Sequence, residues 1–397
     1  MQKNLFFKFT SSMSLYYTSY AVIIGYAALF MQSKGFNNTQ TGIFFAGSAV
    51  LCILLQIFTG SFLDSHPEFS VKLLVLTSAA IVIISALLLS FSSQKWVIFI
   101  CYTLIGAWML TNSSLYNSFG MEYINADMEL NYSLSRGLCS LLYAGTSFIM
   151  GLVIKHFSVM SILPVFLFLQ GTMVITLFFL KPARKKTSLE IKKEQGKKEE
   201  SFFCFFKRNP VILLLLISIL LVYISYTSIN NFHINIIESV GGTSKELGMS
   251  TSIAAMVELP AMALFLPLSK KTSYRNILCI SCTFFFLKVT CMFFAGNMIQ
   301  VYLAQCLQFC SYGLFIPASA YFMNSILPIQ DKTKGQAALG IFTFGLSGLI
   351  SSLLSGIMLD YFSVKAMLGF ESCLAFTGLM GVFFSCHMLK KNLPLDR

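Results

Sequence analysis

Charge is what this sequence has least of: 11% of its 397 residues are Asp, Glu, Lys or Arg, against roughly 25% in an ordinary soluble domain. With 56% hydrophobic residues and a mean hydropathy of +0.74, no soluble fold can hide its apolar surface. Also missing are HExxH, GxSxG and P-loop patterns, so neither a zinc-protease helix, a nucleophile elbow nor a phosphate cradle is present to make it an enzyme. Only four histidines occur, His66, His156, His233 and His387. They sit at loops or span ends without metal-ligand spacing, and no metal or cofactor is expected. The eleven cysteines are scattered through apolar stretches and read as packing residues rather than a disulfide framework. The start, Met1 to Thr10, carries only Lys3 and Lys8 and lacks a small-residue cleavage site, so the first apolar segment is expected to be retained.

Long apolar runs are abundant. A bilayer-spanning helix needs roughly 20 mostly apolar residues, and hydropathy marks six spans near 11–32, 41–63, 72–92, 96–119, 134–155 and 160–180. Six more follow near 210–231, 248–268, 277–296, 300–324, 337–360 and 365–388. The expected fold is an all-α membrane protein of about 12 transmembrane helices in two six-helix bundles, 1–180 and 209–397, joined by a basic linker at 181–208. That linker holds Lys181, Arg184, Lys185, Lys186, Lys192, Lys193, Lys197, Lys198, Lys207 and Arg208, too polar to pack into a core. Of 28 Lys and Arg, five (Lys34, Lys95, Lys155, Lys245, Lys365) fall on the other side and two (Arg136, Lys288) in or near spans. The rest share the linker's side, so both termini are expected to be cytoplasmic in a multi-pass plasma-membrane protein. The net charge of +12 therefore reads as orientation-setting, with anionic-lipid or nucleic-acid binding the weaker alternative. Lys95 and Trp96 read as an interfacial anchor.

Ionisable groups inside spans are the informative residues, because each costs roughly 2.5–3.5 kcal/mol to insert at a helix centre. Glu258 lies within Thr251 to Leu268, and Lys288 within Ile277 to Phe294. Either they form a buried pair that holds two helices together, or neighbouring charge switches the Glu258 carboxyl between protonated and ionised forms, as proton coupling requires. Arg136 and Tyr143, seven residues or two turns apart, share a helix face. Arg136 could alternatively snorkel from its helix start. Tyr16, Tyr17, Tyr20 and Tyr26 on helix one, with Tyr223, Tyr226, Asn230 and Asn231 on helix seven, supply hydrogen-bonding groups. Tyr16 and Tyr17 read as interfacial anchors.

Six plus six spans about a basic middle loop resemble the major facilitator architecture, in which two halves rock about a central site. Thr41 to Ala46, then Gln56, Gly60 and Asp64, resemble the second helix of lactose permease and its oligosaccharide–proton symporter relatives. Asn131-Tyr132, Arg136 and Ser140 resemble the start of the fifth helix there and in the phenylpropionate permease group. Gly335-Gln336, Gly345, Gly348, Gly356 and Asp360 resemble the penultimate helix of that second group. The resemblance implies gating at Gly60 and Asp64, and substrate contacts from Arg136, Tyr143, Glu258 and Lys288. Asp64 would accept hydrogen bonds from a helix N-terminus as a cytoplasmic gate closes, and Gly356 to Asp360 would place a second copy at the outer face. The pattern departs on helix ten, where Gln308 and Ser311 replace the proton-relaying histidine and carboxylate. Ser118 likewise replaces an acidic sugar ligand, with Glu122 one turn later, and Ser65-His66-Pro67-Glu68 replaces a basic loop.

The expectation is an alternating-access, proton-coupled symporter of a sugar, glycoside or nucleoside, with Glu258 as proton carrier and Arg136, Tyr143, Glu258, Lys288 and Gln308 at the substrate. Two cations against one acid keep an aromatic carboxylate open, and a drug exporter also remains open. A non-transporting receptor on a carrier fold is the alternative of a different class. The expected partners are a small solute, protons and the bilayer, without nucleic acid, and the expected state is a monomer.

Overall fold

The computed structural model describes residues 2–66, 69–126, 128, 130–181, 202–328 and 331–392, and among these every regular element is helical. Eleven helices are long and apolar enough to cross a bilayer. A twelfth span forms if the pair Leu5–Ile23 and Ala27–Ser33, bent by 41°, counts as one. The all-α membrane fold of about twelve spans is therefore the one observed.

That bend has a local cause. At the end of α1 (Gln2–Ile23) the Ala27 amide bonds to the Ile24 carbonyl instead of continuing the α-helical ladder. The Ile23 carbonyl, left over, accepts from Tyr102 Oη at 2.6 Å, so the break carries no unpaired buried oxygen there. A Cβ at Gly25 would collide with the Ala21 carbonyl, which makes glycine the residue the turn requires. Tyr26 begins α2 (Ala27–Ser33) and ties it down by donating to the Ser147 carbonyl at 2.6 Å.

The chain divides into two compact units: Met1–Gly35 with Phe44–Lys198, and Phe36–Ile43 with Glu199–Arg397. In the first, α1 packs on α6 (Tyr132–His156) and α7 (Ile162–Phe178), and α4 (Val71–Phe91) packs on α5 (Lys95–Asn125) and α7. Apolar faces alone give little helix–helix specificity in lipid, so the seams are pinned by buried polar pairs. Thr10 bonds Ser135, Ser12 bonds Tyr116, Ser78 bonds Asn112, and Gln170 bonds Ser19, all at 2.7–2.9 Å. Tyr16 corrects the anchor reading: it is fully buried, donating to the Met109 carbonyl at 2.5 Å. Its ring fills the α1–α5 seam because the hydroxyl finds a backbone acceptor there.

In the second unit, α17 (Val364–Asn392) lies along α9 (Pro210–Asn231) and α12 (Tyr274–Phe294), and α16 (Ser347–Tyr361) lies on α9. α14 (Tyr312–Ile326) packs on α11 (Ser244–Ser269) and α12. Gly378 permits the α9–α17 approach: a Cβ there would come within 2.6 Å of the Ser218 carbonyl oxygen. Cys279 and Cys282 have CxxC spacing, but both are buried in the apolar core around α12 as free thiols. Residues 182–201 of the linker lie outside the described residues. Its last part, Phe202–Arg208, forms the short helix α8 with Phe205 buried, and Arg208 bonds Asp331 at 2.8 Å.

Candidate functional site

The second unit gathers three of the residues singled out from sequence into one hydrogen-bonded chain. α11 carries half-buried Glu258, α12 carries buried Lys288, and a 3₁₀ turn, Leu307–Phe309, interrupts the next span between α13 (Met298–Cys306) and α14 to present Gln308. The amide oxygen of Gln308 accepts from Lys288 Nζ at 2.5 Å, and its Nε2 donates to Glu258 Oε1 at 2.7 Å. Gln308 thus links the ammonium to the carboxylate and satisfies one bond of each, which a buried charge needs. Gly313 opens this corner: a Cβ there would sit 2.6 Å from Ala261 Cβ and 3.5 Å from Glu258 Cα. Ser311 donates to the Leu307 carbonyl at 3.0 Å, holding the turn.

Beside this chain stands an aromatic wall. Tyr226 and Tyr312 stack at 4.9 Å and 17°, Lys288 Nζ is 5.8 Å from the Tyr226 ring centroid, and Gln308 Nε2 reaches Tyr226 Oη at 3.5 Å. The pair offers a π-face next to hydrogen-bonding groups of both kinds. His233, opening α10 (His233–Ser239), bonds Ser250 at 2.8 Å and Gln305 at 3.0 Å. Burial, and secondly Lys288, push its pKa down to about 3, so the imidazole is neutral at any physiological pH.

The first unit holds Arg136 in the second turn of α6, whose start is capped by Asn131 accepting from the Leu134 amide at 3.0 Å. The guanidinium carbon lies 4.2 Å from the Tyr17 ring centroid, a cation–π stack, and Nη1 donates to Ser140 Oγ at 3.2 Å. Tyr17 Oη in turn pairs with Ser113 at 3.3 Å. Tyr17 is therefore part of the Arg136 cluster, which corrects its reading as an anchor; a tyrosine-rich first helix was the available signal. Tyr143 is half-buried two turns further along α6. Of the residues noted on helix four, Ser118 is exposed and Glu122 Oε1 accepts from the Val71 amide at 3.4 Å.

Gly60 is exposed, and a Cβ there would meet nothing within 4 Å. Asp64 lies in α3 (Asn38–Ser65) with its side chain outside the described residues. The observed close approach is at the first turn of α3, where Gly42 abuts the Ser352 carbonyl and Gly356 abuts Asn38. There Asp360 accepts from the Asn38 amide at 3.0 Å, Asn38 Nδ2 at 3.0 Å and the Thr39 amide at 2.7 Å. A carboxylate accepting from two amides at a helix N-terminus is a favourable charge–dipole arrangement. Asp360→Ala is expected to expose those amides, speeding their deuterium exchange about tenfold or more. Unchanged exchange at Asn38 and Thr39 would show that the clasp adds nothing.

Sequence reading missed Glu371, an acid near the start of α17 that is 2% exposed. A single carboxyl inside the last apolar run was the signal available.

The profile of the MFS_1 like family matches residues 8–370. No curated protein matches in sequence. Among solved structures, a point mutant of the nucleoside transporter NupG superposes with a TM-score of 0.81 at 13% identity, covering 97% of this chain and 99% of that one. NupG itself superposes with a TM-score of 0.77 at 14% identity, covering 96% and 99%.

Proposed function

We propose that this chain, which belongs to the MFS_1 like family of major facilitator transporters, is a proton-coupled symporter of a nucleoside or similarly glycosylated solute. Family and fold are those of membrane carriers of small solutes rather than of enzymes. The observation that carries the finer reading is the Glu258–Gln308–Lys288 chain beside stacked Tyr226 and Tyr312. Stacked rings suit a planar base or a sugar face, and an amide between an acid and an ammonium offers donors and acceptors to hydroxyls. That two superposing structures are of a nucleoside transporter makes nucleosides the first solutes to try.

In this reading Glu258 carries the proton. Half-buried and joined through Gln308 to a cation, it changes its preferred protonation state whenever solute displaces or restores that link. Gln308 and Lys288 are its partners in substrate binding, Arg136 and Tyr143 are further substrate-binding residues, and Gly60 and Asp64 gate the cytoplasmic side. The protein works as a plasma-membrane monomer with cytoplasmic termini, without nucleic acid.

Proteoliposomes with an imposed pH gradient test this against nucleosides, sugars and aromatic acids. Glu258→Gln is expected to lose concentrative uptake while retaining solute exchange. Accumulation that survives the substitution would remove Glu258 from coupling. Uptake of aromatic acids only would favour a carboxylate permease, the reading that the Arg136–Tyr17 stack also suits.

A further inference from the structure

Glu371 lies outside the substrate cluster, and its hydrogen-bonded neighbours among the described residues are hydroxyls. Its Oε1 accepts from Ser355 Oγ on α16 at 2.8 Å, and Ser355 Oγ is 2.7 Å from Ser228 Oγ on α9. Glu371, Ser355 and Ser228 are all at least 98% buried. The second carboxyl oxygen, Oε2, is enclosed and has no hydrogen-bond partner. Several titratable groups of the neighbouring helices are engaged elsewhere. Lys288 on α12 bonds Gln308, Asp360 on α16 holds Asn38 and Thr39, and Tyr223 and Tyr226 on α9 pack against Phe285. His233 on α10 is bonded to Ser250 and Gln305.

A carboxylate enclosed among serine hydroxyls, with no ion-pair partner among the described residues, is strongly penalised by desolvation when ionised. The neutral acid fits this enclosure. Ionisation requires water, hence a separation of α9, α16 and α17 around the carboxyl. The span that contributes Ser355 has the means to move, since Ile341–Leu346 is a π-helical stretch running directly into α16. Such widened turns commonly mark functional deformation of a helix. Serine and glycine also line the buried face of α16, at Ser347, Gly348, Ser351, Ser352, Ser355 and Gly356, which leaves small side chains rather than interlocked ones at the sliding surface.

We infer that Glu371 is a second proton-binding site, loaded when α9, α16 and α17 close on it and emptied to water when they part. One proton bonds to a carboxyl oxygen on loading, and the same O–H bond breaks on release, leaving the carboxylate hydrated. The inference rests on the carrier reading above for its role in coupling, but not for proton binding itself. Two carboxyls then divide the work: Glu258 senses solute, and Glu371 senses helix packing.

The test is infrared difference spectroscopy on the purified full chain in lipid at neutral pH, in light and heavy water. A protonated buried carboxyl gives a carbonyl stretch that shifts on deuteration. The band is expected in the unmodified protein and in Glu258→Gln, and is expected to be missing from Glu371→Gln. Ser355→Ala is expected to keep the band but move its frequency, which identifies the acid even if Glu371→Gln does not fold. In proteoliposomes the same Glu371→Gln is expected to lower pH-driven accumulation about tenfold or more. A band that persists in Glu371→Gln, a band that never exchanges with heavy water, or its appearance only when sodium is removed would overturn the inference. The spectrum needs no solute, so failure of the proposed substrate class and failure of this site are read separately.

Discussion

Lys288→Leu is expected to lower concentrative uptake at least about a hundredfold, because removing one member of a buried charged chain strands the others. Lys288 is 2% exposed and its ammonium bonds the Gln308 amide oxygen, which in turn orients Nε2 toward Glu258. Truncation leaves that amide oxygen unpaired and Glu258 without its compensating cation, a loss of roughly 3–5 kcal/mol in comparable buried pairs. The double variant Glu258→Gln with Lys288→Leu removes both charges together. It is expected to recover thermal stability in detergent while still failing to accumulate solute. Uptake assays on both variants, beside thermal unfolding, separate the stability effect from the functional one. Normal accumulation by Lys288→Leu would show that the chain is neither a binding nor a coupling element.

The second large effect is expected at Arg136. The guanidinium lies 4.2 Å from the Tyr17 centroid and donates to Ser140, so its position is set before any solute arrives. Arg136→Ala is expected to weaken solute binding about a hundredfold, and Arg136→Lys to recover only part of it. An ammonium keeps the charge but loses the flat stack and the fork of donors. Tyr17→Leu, which removes the platform and leaves the charge, is expected to fall between them, at about three- to thirtyfold for the loss of a cation–π contact. Equilibrium binding in detergent checks the order of the three. Equal affinities for the arginine and lysine proteins would make Arg136 a simple positive charge at a helix start.

How much of this was legible beforehand depends on the range of the interaction concerned. Glu258 and Lys288 stood out because an ionisable group in an apolar span is conspicuous in one dimension. Gln308 was noticed only through resemblance, as a neutral replacement. Nothing in its neighbours announces that a 3₁₀ turn will present its amide to residues 20 and 50 positions away. Glu371 was equally conspicuous in principle and was passed over, and its enclosure among serine hydroxyls is a property of three packed helices. Tyr16 and Tyr17 were misjudged for a related reason. A tyrosine near a span end has the same sequence signature whether its hydroxyl meets water or the Met109 carbonyl.

What the sequence determined by itself is the class of molecule. Twelve apolar stretches, sparse charge and a basic break at the middle suffice for a two-part helical membrane protein, because the bilayer demands long internally bonded helices wherever the chain crosses it. Tertiary structure alone decided the partners: that Gln308 joins Glu258 to Lys288, that Tyr17 supports Arg136, that Asp360 caps α3, and that Glu371 bonds Ser355. Span formation depends on composition summed over some twenty neighbours in the chain. Protonation and recognition depend on a few atoms within hydrogen-bond reach, brought from positions 20 to 127 residues apart in the chain.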